Sequence, residues 1–160
     1  MVALPRAWSP IAMNAYRRIL VAVDGSPAAA KGLREAVRLA KSEEAELCVF
    51  HVVNEFYAFA MPEGGAAMAD LVPTLREGGK RILAKAQSEA QKQGLKAKGV
   101  LRETVGGAAA DAIVKEAKKQ RADLIVLGTH GRRGVRRMVL GSDAEQVVRT
   151  ASVPVLLVRG

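Results

Sequence analysis

The chain of 160 residues is short of several things, and each shortage excludes something. There is one cysteine, Cys48, so no intramolecular disulfide can form and a disulfide-stapled scaffold is excluded. A lone thiol fits a reducing compartment. The two histidines, His51 and His130, make no recognisable metal set with that one cysteine. Aromatic residues are 4% of the chain, too few for the base-stacking surface that single-stranded nucleic acid requires. No apolar run approaches the ~20 residues of a membrane span. The opening stretch MVALPRAWSPIA is interrupted by Pro5, Arg6 and Pro10, which does not suit a signal peptide; residues 1–14 are expected to be an irregular leader, 15–160 one domain, and the compartment cytoplasmic. Neither a Gly-x4-Gly-Lys-[Ser/Thr] phosphate loop nor a Gly-x-Gly-x-x-Gly fingerprint at the first turn is present, which disfavours P-loop hydrolases and ordinary dinucleotide-binding enzymes.

What is there is globular: 49% hydrophobic and 26% charged residues, enough for one real core. The charge is lopsided, with 25 basic against 16 acidic residues, and the net +9 favours anionic partners such as nucleotides, nucleic acid or an anionic surface.

Short apolar runs alternate with helical patterns. Ile19 to Val23 is an apolar run of the kind buried on both faces of a parallel sheet. Ser26-Pro27 then reads as a helix cap followed by a first-position proline, and Leu33, Ala36, Val37 and Ala40 form one stripe. A second strand spans Leu47 to Val53. A loose stretch follows to Met68, and then a helix from Ala69 to Gln93 with Leu75, Ile82, Leu83, Ala86 and Ala90 on one face and Gly94 beyond its end. Lys96 to Val105 reads as a more polar edge strand. Gly106-Gly107 turns the chain into a helix with Ala110, Ile113, Val114 and Ala117 inward. The fourth strand, Asp123 to Leu127, opens into an arginine-rich loop. A short helix from Ser142 carries Ala144, Val147, Val148 and Ala151 on its inner face, and Val153 to Val158 is the last strand. Five strands alternating with four helices predict right-handed βαβ units and an open, doubly wound α/β fold of Rossmann-like type. Pro154 places the last strand at an edge, and so apolar an edge is expected to pair with a second copy of the chain.

In such a sheet ligands bind beyond the carboxyl ends of the strands. Asp24 follows the first strand there. Gly128, Gly131 and Gly141-Ser142 follow the fourth, at a spacing of two and then nine residues. Gly128 and Gly131 allow the backbone to approach a ligand. Gly141-Ser142 sets unpaired amides at a helix start, where the dipole favours an anion, and Ser142 is expected to be the N-cap. Ser142 is not a candidate nucleophile, since no general base is suggested beside it. His51 reads as a hydrogen-bonded core residue and Cys48 as a small packed thiol.

The strings VAVDGS, FHVV and LGTHGRRGVRRMVLGSDAEQVV…VPVLLV resemble the universal stress protein family, over about Tyr16 to Arg159. The family's motif G-x2-G-x9-G-[S/T] is met at Gly128, Gly131, Gly141 and Ser142. The resemblance implies a five-stranded parallel sheet in the order 3-2-1-4-5, a fold like that of the adenine nucleotide alpha-hydrolases, a homodimer through Val153 to Val158, and ATP as ligand, with Mg²⁺ as an accompanying ion on the phosphates. Carried over by position, Asp24 faces the adenosine, the backbone near Ala22, Val23 and Val52 frames the adenine, and Leu127 and Gly128 lie along the ribose. His130, Gly131, Arg132, Gly141, Ser142 and Asp143 surround the phosphates. Asp143 departs from many relatives, which have an uncharged residue there; it suits a helix's first turn but repels a phosphate.

The leading expectation is therefore an ATP-binding regulatory protein of the stress response. A slow ATPase or phosphotransferase is the enzymatic alternative, because phosphoryl transfer can run on positioning and electrostatics. A scaffold that needs no nucleotide, or a weak nucleic-acid binder using Arg132, Arg133, Arg136 and Arg137, are the others. No motif marks a specific nucleic-acid partner, and no membrane partner is expected.

Overall fold

In the computed structural model the described residues are 14–55, 66–129 and 140–160. Among them the strands are β1 (Arg18–Ala22), β2 (Glu46–Asn54), β3 (Ala97–Thr104), β4 (Leu124–Gly128) and β5 (Val155–Val158). The helices α1 (Pro27–Ser42), α2 (Ala66–Lys92), α3 (Ala109–Lys119) and α4 (Ser142–Thr150) alternate with them. Every pairing is parallel and the order is β3-β2-β1-β4-β5, the doubly wound sheet that the alternation predicts. Of the expected leader, all but Asn14 lies outside the described residues.

The period-two alternation of the strands sorts the core into two layers. Ile19, Val21, Leu47, Val49, Leu124 and Val126 point to one face, where α1 supplies Leu33, Ala36, Val37 and Ala40 and α2 supplies Ala86 and Ala90. Leu20, Cys48, Phe50, Ile125 and Leu127 point to the other, against Ala110, Ile113, Val114 and Ala117 of α3 and Ala144 and Val147 of α4. The central strands are covered on both faces, which is why their sequences are continuous apolar runs.

The helix ends have local causes. The Ser26 side chain accepts the Ala29 N–H at 3.1 Å and Pro27 opens α1, as expected. Three C-termini close the same way. Ala45, Leu95 and Ala122 donate their N–H groups to the carbonyls of Ala40, Ala90 and Ala117 at 2.8, 3.1 and 2.9 Å. Each such closure needs one left-handed residue. Gly94 fills that role after α2 (φ +79°), but Glu44 (φ +52°) and Arg121 (φ +53°) fill it after α1 and α3.

Four expectations are corrected. Gly141, not Ser142, caps α4, because the Gly141 N–H is tied to the Thr129 carbonyl at 2.9 Å, which holds Gly141 extended and makes Ser142 the first helical residue. Val148 is 46% exposed rather than inward: the sheet side of this short helix is filled by Ala144 and Val147, with Ala151 packed alongside, and Val148 falls outside that stripe. Pro154 precedes β5 instead of lying within it, its carbonyl accepting the Ile125 N–H at 3.0 Å. Helix α2 starts before Ala69, at Ala66, and runs through Pro73. Strand β5 is at an edge, as predicted, with all four residues half-buried.

Two buried carboxylates were not foreseen. Glu116 on α3, 3% exposed, accepts from the Arg102 guanidinium and the Gln120 amide. Burial raises its pKa, but those hydrogen bonds and the Arg102 charge outweigh burial and hold it below the ordinary carboxylate range. Glu55 at the end of β2 pairs with Arg76 Nε at 3.0 Å, and the same guanidinium reaches Glu103 of β3 at 3.0 Å, clasping α2 to the sheet edge.

Glycine at either non-glycine left-handed position should relieve strain. Glu44→Gly and Arg121→Gly are each expected to stabilise by up to about 1 kcal/mol, read as a rise of about 2–4 °C in Tm by calorimetry. Since Glu116 titrates below its unfolded value, its contribution is present above that value and is lost as pH falls through the folded one. Glu116→Gln should therefore flatten the decline of stability below about pH 4 in denaturant titrations run across acid pH.

Candidate functional site

The chain runs from β1 to β2 and β3 on one side of the sheet, then crosses to β4 and β5 on the other. The order thus reverses between β1 and β4, and the carboxyl ends of those two strands are where a ligand is expected. Val21 pairs with Val126, so Val23-Asp24 emerges level with Gly128-Thr129.

Asp24 is half-buried and turns back on its own chain, its Oδ1 accepting the Ser26 N–H at 2.9 Å. Gly25 follows at φ +83°, and Ser26 caps α1. Val23 is buried, and its N–H donates to the Phe50 carbonyl at 2.9 Å. Ala22, Val52 and Leu127 lie on the α3/α4 face of three neighbouring strands; Leu127 is buried there, while Ala22 and Val52 are only partly covered. That leaves an apolar floor at the carboxyl edge of the sheet.

Gly128 has a structural necessity of its own. A Cβ on Gly128 would lie 2.6 Å from the Ala28 carbonyl carbon and 2.7 Å from the Ala29 nitrogen. A Cβ on Gly32 would lie 3.3 Å from the Gly128 nitrogen. The first turns of α1 therefore rest on the main chain of β4, and no side chain fits between them. This packing role was missed at the level of sequence, where Gly128 was read for ligand approach; a Gly32 in the buried stripe of α1 was the available signal.

Across the switch point, the Thr129 N–H donates to Val158 and its carbonyl accepts from Gly141, both at 2.9 Å. The end of β4 and the start of α4 are thus brought together, as the glycine spacing predicts. Ser142 and Asp143 stand exposed in the first turn of α4, with Glu145 behind them. The first amides of a helix have no intrahelical acceptor, and the dipole adds positive potential there, worth about 0.3–1 kcal/mol when exposed. The two carboxylates offset part of that potential. His130, Gly131 and Arg132, and with them the other loop arginines, lie outside the described residues.

His51 is a hydrogen-bonded core residue, as read from the sequence: it is 5% exposed and its Nδ1 donates to the Val23 carbonyl at 2.6 Å. Cys48 is buried as well; burial, then the charge of Glu116, pushes its thiol up to about 11, which keeps it protonated at neutral pH. Among the described residues no group of three or more His, Cys, Asp or Glu side chains could hold a metal ion. None of the described helices is long and apolar enough to cross a membrane.

The model of the universal stress protein family matches residues 15–159. The chain belongs to that family. A universal stress protein of Methanocaldococcus jannaschii, MJ0531, is 35% identical over 148 residues, covering 91% of this chain and 84% of the relative. The universal stress protein UspA from Lactobacillus plantarum has the same fold, with a TM-score of 0.77 at 29% identity over 90% of this chain and 98% of that one. A universal stress protein from Archaeoglobus fulgidus, solved in complex with dAMP, gives a TM-score of 0.63 at 28% identity over 89% of this chain and 98% of that one.

If Gly128 is required by α1, its replacement should cost stability whether or not a ligand is present. Gly128→Ala is expected to destabilise this universal stress protein by about 1–3 kcal/mol, seen as a lower midpoint in urea unfolding of the ligand-free protein. Asp24→Ala, which touches only the turn, should cost clearly less in the same measurement.

Proposed function

We propose that this universal stress protein is an adenine-nucleotide-binding regulatory protein whose ligand is ATP. The observation that carries the reading is the junction at the switch point, where the Gly141 N–H on the Thr129 carbonyl sets the first turn of α4 beside the Asp24 turn. An apolar floor of Ala22 and Val52 suits a purine, and helix amides with glycine-spaced main chain suit phosphate. Carried over from the family resemblance, His130, Gly131 and Arg132 would complete the phosphate side. A divalent ion such as Mg²⁺ would draw ligands from the phosphates themselves. The dAMP complex of the Archaeoglobus fulgidus relative supports an adenine nucleotide in this fold.

A second copy of the chain is proposed to pair along the edge strand, whose residues Val155 to Val158 are half-exposed on both faces. We further place this protein in the stress response and in the cytoplasm, on the strength of the family alone.

A monophosphate ligand is favoured by one feature: Asp143 lies exposed in the first turn of α4, where each added phosphate charge would meet it, whereas Glu145 is paired with Arg149. The two readings separate by titration with ATP and AMP. Copurifying adenine nucleotide, or saturable ATP binding by calorimetry, supports the proposal; the absence of both would reject it. Gly141 has φ −61° and ψ 143°, a conformation open to any residue, so Gly141→Leu should fold normally and lose nucleotide. Asp143→Asn should tighten ATP binding by about two- to fivefold, the equivalent of removing one exposed charge from a helix N-terminus, and should tighten AMP less.

A further inference from the structure

We propose that His51, which lies outside the G-x2-G-x9-G-[S/T] spacing, is a positioning residue for the nucleotide turn: its Nδ1–H holds the Val23 carbonyl and thereby fixes the peptide plane from which Asp24 emerges. This inference rests on the nucleotide-binding reading above and names the device that pre-forms one side of that site.

The main-chain ladder between β1 and β2 runs from Arg18 and Glu46 to Ala22 and Phe50. One further bond is made beyond it, from the Val23 N–H to the Phe50 carbonyl. Past that point the chain leaves the sheet for the Asp24-Gly25-Ser26 turn. The Val23 carbonyl, instead of being left to the turn, accepts from the side chain of the next β2 residue, His51, at 2.6 Å. Val23 is thus held at its N–H by Phe50 and at its carbonyl by His51.

That second bond has a geometric consequence. The Val23 carbonyl and the Asp24 N–H belong to one planar peptide unit. Fixing the oxygen fixes the direction of the Asp24 amide and the position of the Asp24 Cα. The Asp24 side chain then closes the turn on the Ser26 N–H. A carbonyl free to rotate would let the whole turn swing before α1 begins.

His51 can act this way because its ring has nowhere to go. It is 5% exposed on the α1/α2 face of β2, and the α2 backbone passes directly over it at Gly79. A Cβ on Gly79 would stand 3.1 Å from the His51 Cδ2 and 2.4 Å from a Val53 methyl. The ring is clamped between the helix backbone and the carbonyl that it donates to. Since a carbonyl can only accept, Nδ1 carries the proton, and a ring locked in that tautomer is a rigid donor.

The test compares wild type with His51→Phe, which keeps a ring and removes the donor, and His51→Asn, whose amide nitrogen falls near the Nδ1 position. Calorimetric titration with ATP is run well below the Tm of every variant, so that all are folded. His51→Phe should bind about tenfold more weakly, the effect of a freed turn that is in its binding orientation only about a tenth of the time, and His51→Asn should recover most of that loss. With two histidines in the chain, the ring ¹⁵N spectrum of wild type should show one Nδ1-protonated imidazole, and its shift should change on nucleotide addition. If wild type binds ATP and His51→Phe binds equally well, or if asparagine rescues nothing, the positioning role is overturned while the nucleotide reading stands. If wild type binds no adenine nucleotide, both fall together.

Discussion

Everything at the switch point depends on how closely α1 lies against β4. Glycine stands at both contact positions, Gly32 on the helix and Gly128 on the strand, and a Cβ at Gly128 would enter the backbone of Ala28 and Ala29. This close approach brings the start of α1 down beside the β4 end, so that the Asp24 turn and the Thr129 junction share one edge of the sheet. A bulkier residue at either position would lift the helix and separate them. The contact is made from backbone, and so its loss cannot be relieved by a change of rotamer, unlike the side-chain packing of the two core layers.

The fold was legible because burial on both faces leaves a plain mark on a strand. Ile19 to Val23, Leu47 to Val53 and the fourth strand read as apolar runs, and the stripes of α1 and α3 fell on the residues that the structure buries. The edge positions of β3 and β5 were legible too, from polarity in one and Pro154 in the other. What stayed hidden has a common cause. Left-handed turns at Glu44 and Arg121, the cap at Gly141, and the buried acids Glu55 and Glu116 are each decided by a partner distant in sequence or by a main-chain bond, and residue type carries little record of either. Glu116 sits three residues after Ile113 on the flank of an apolar stripe, a place where an acid is expected to be solvated until Arg102 is known to face it.

The site divides in a similar way. Spacing alone brought Gly128 and Gly141 to one place, because two bends that flank a loop must return to the same strand end. Their individual duties could not be read from spacing. Gly128 is needed by a helix on the opposite face of the sheet, and Gly141 spends its own N–H on Thr129. Gly128 and Gly141 are therefore structural before they are ligand contacts, and among the described residues the helix amides left for an anion are those of Ser142 and the residues after it. The Gly141 N–H, spent on Thr129, is not available to a phosphate as well.

The chain as a whole carries +9, yet the first turn of α4 carries Asp143 and Glu145. Long-range attraction and local repulsion act over different distances. The net charge raises the concentration of any anion near the protein and is screened by salt beyond about 10 Å. Asp143, in the first turn, acts at short range on an anion placed at the start of α4, while Glu145 is turned toward Arg149 at 3.6 Å. On the proposed nucleotide reading, the net charge would gather the anion and Asp143 would set how strongly its phosphate end is held. The Val23 carbonyl held by His51 belongs to the nucleoside side of the same proposal: a turn already fixed by a buried hydrogen bond leaves less to be ordered when a ligand arrives.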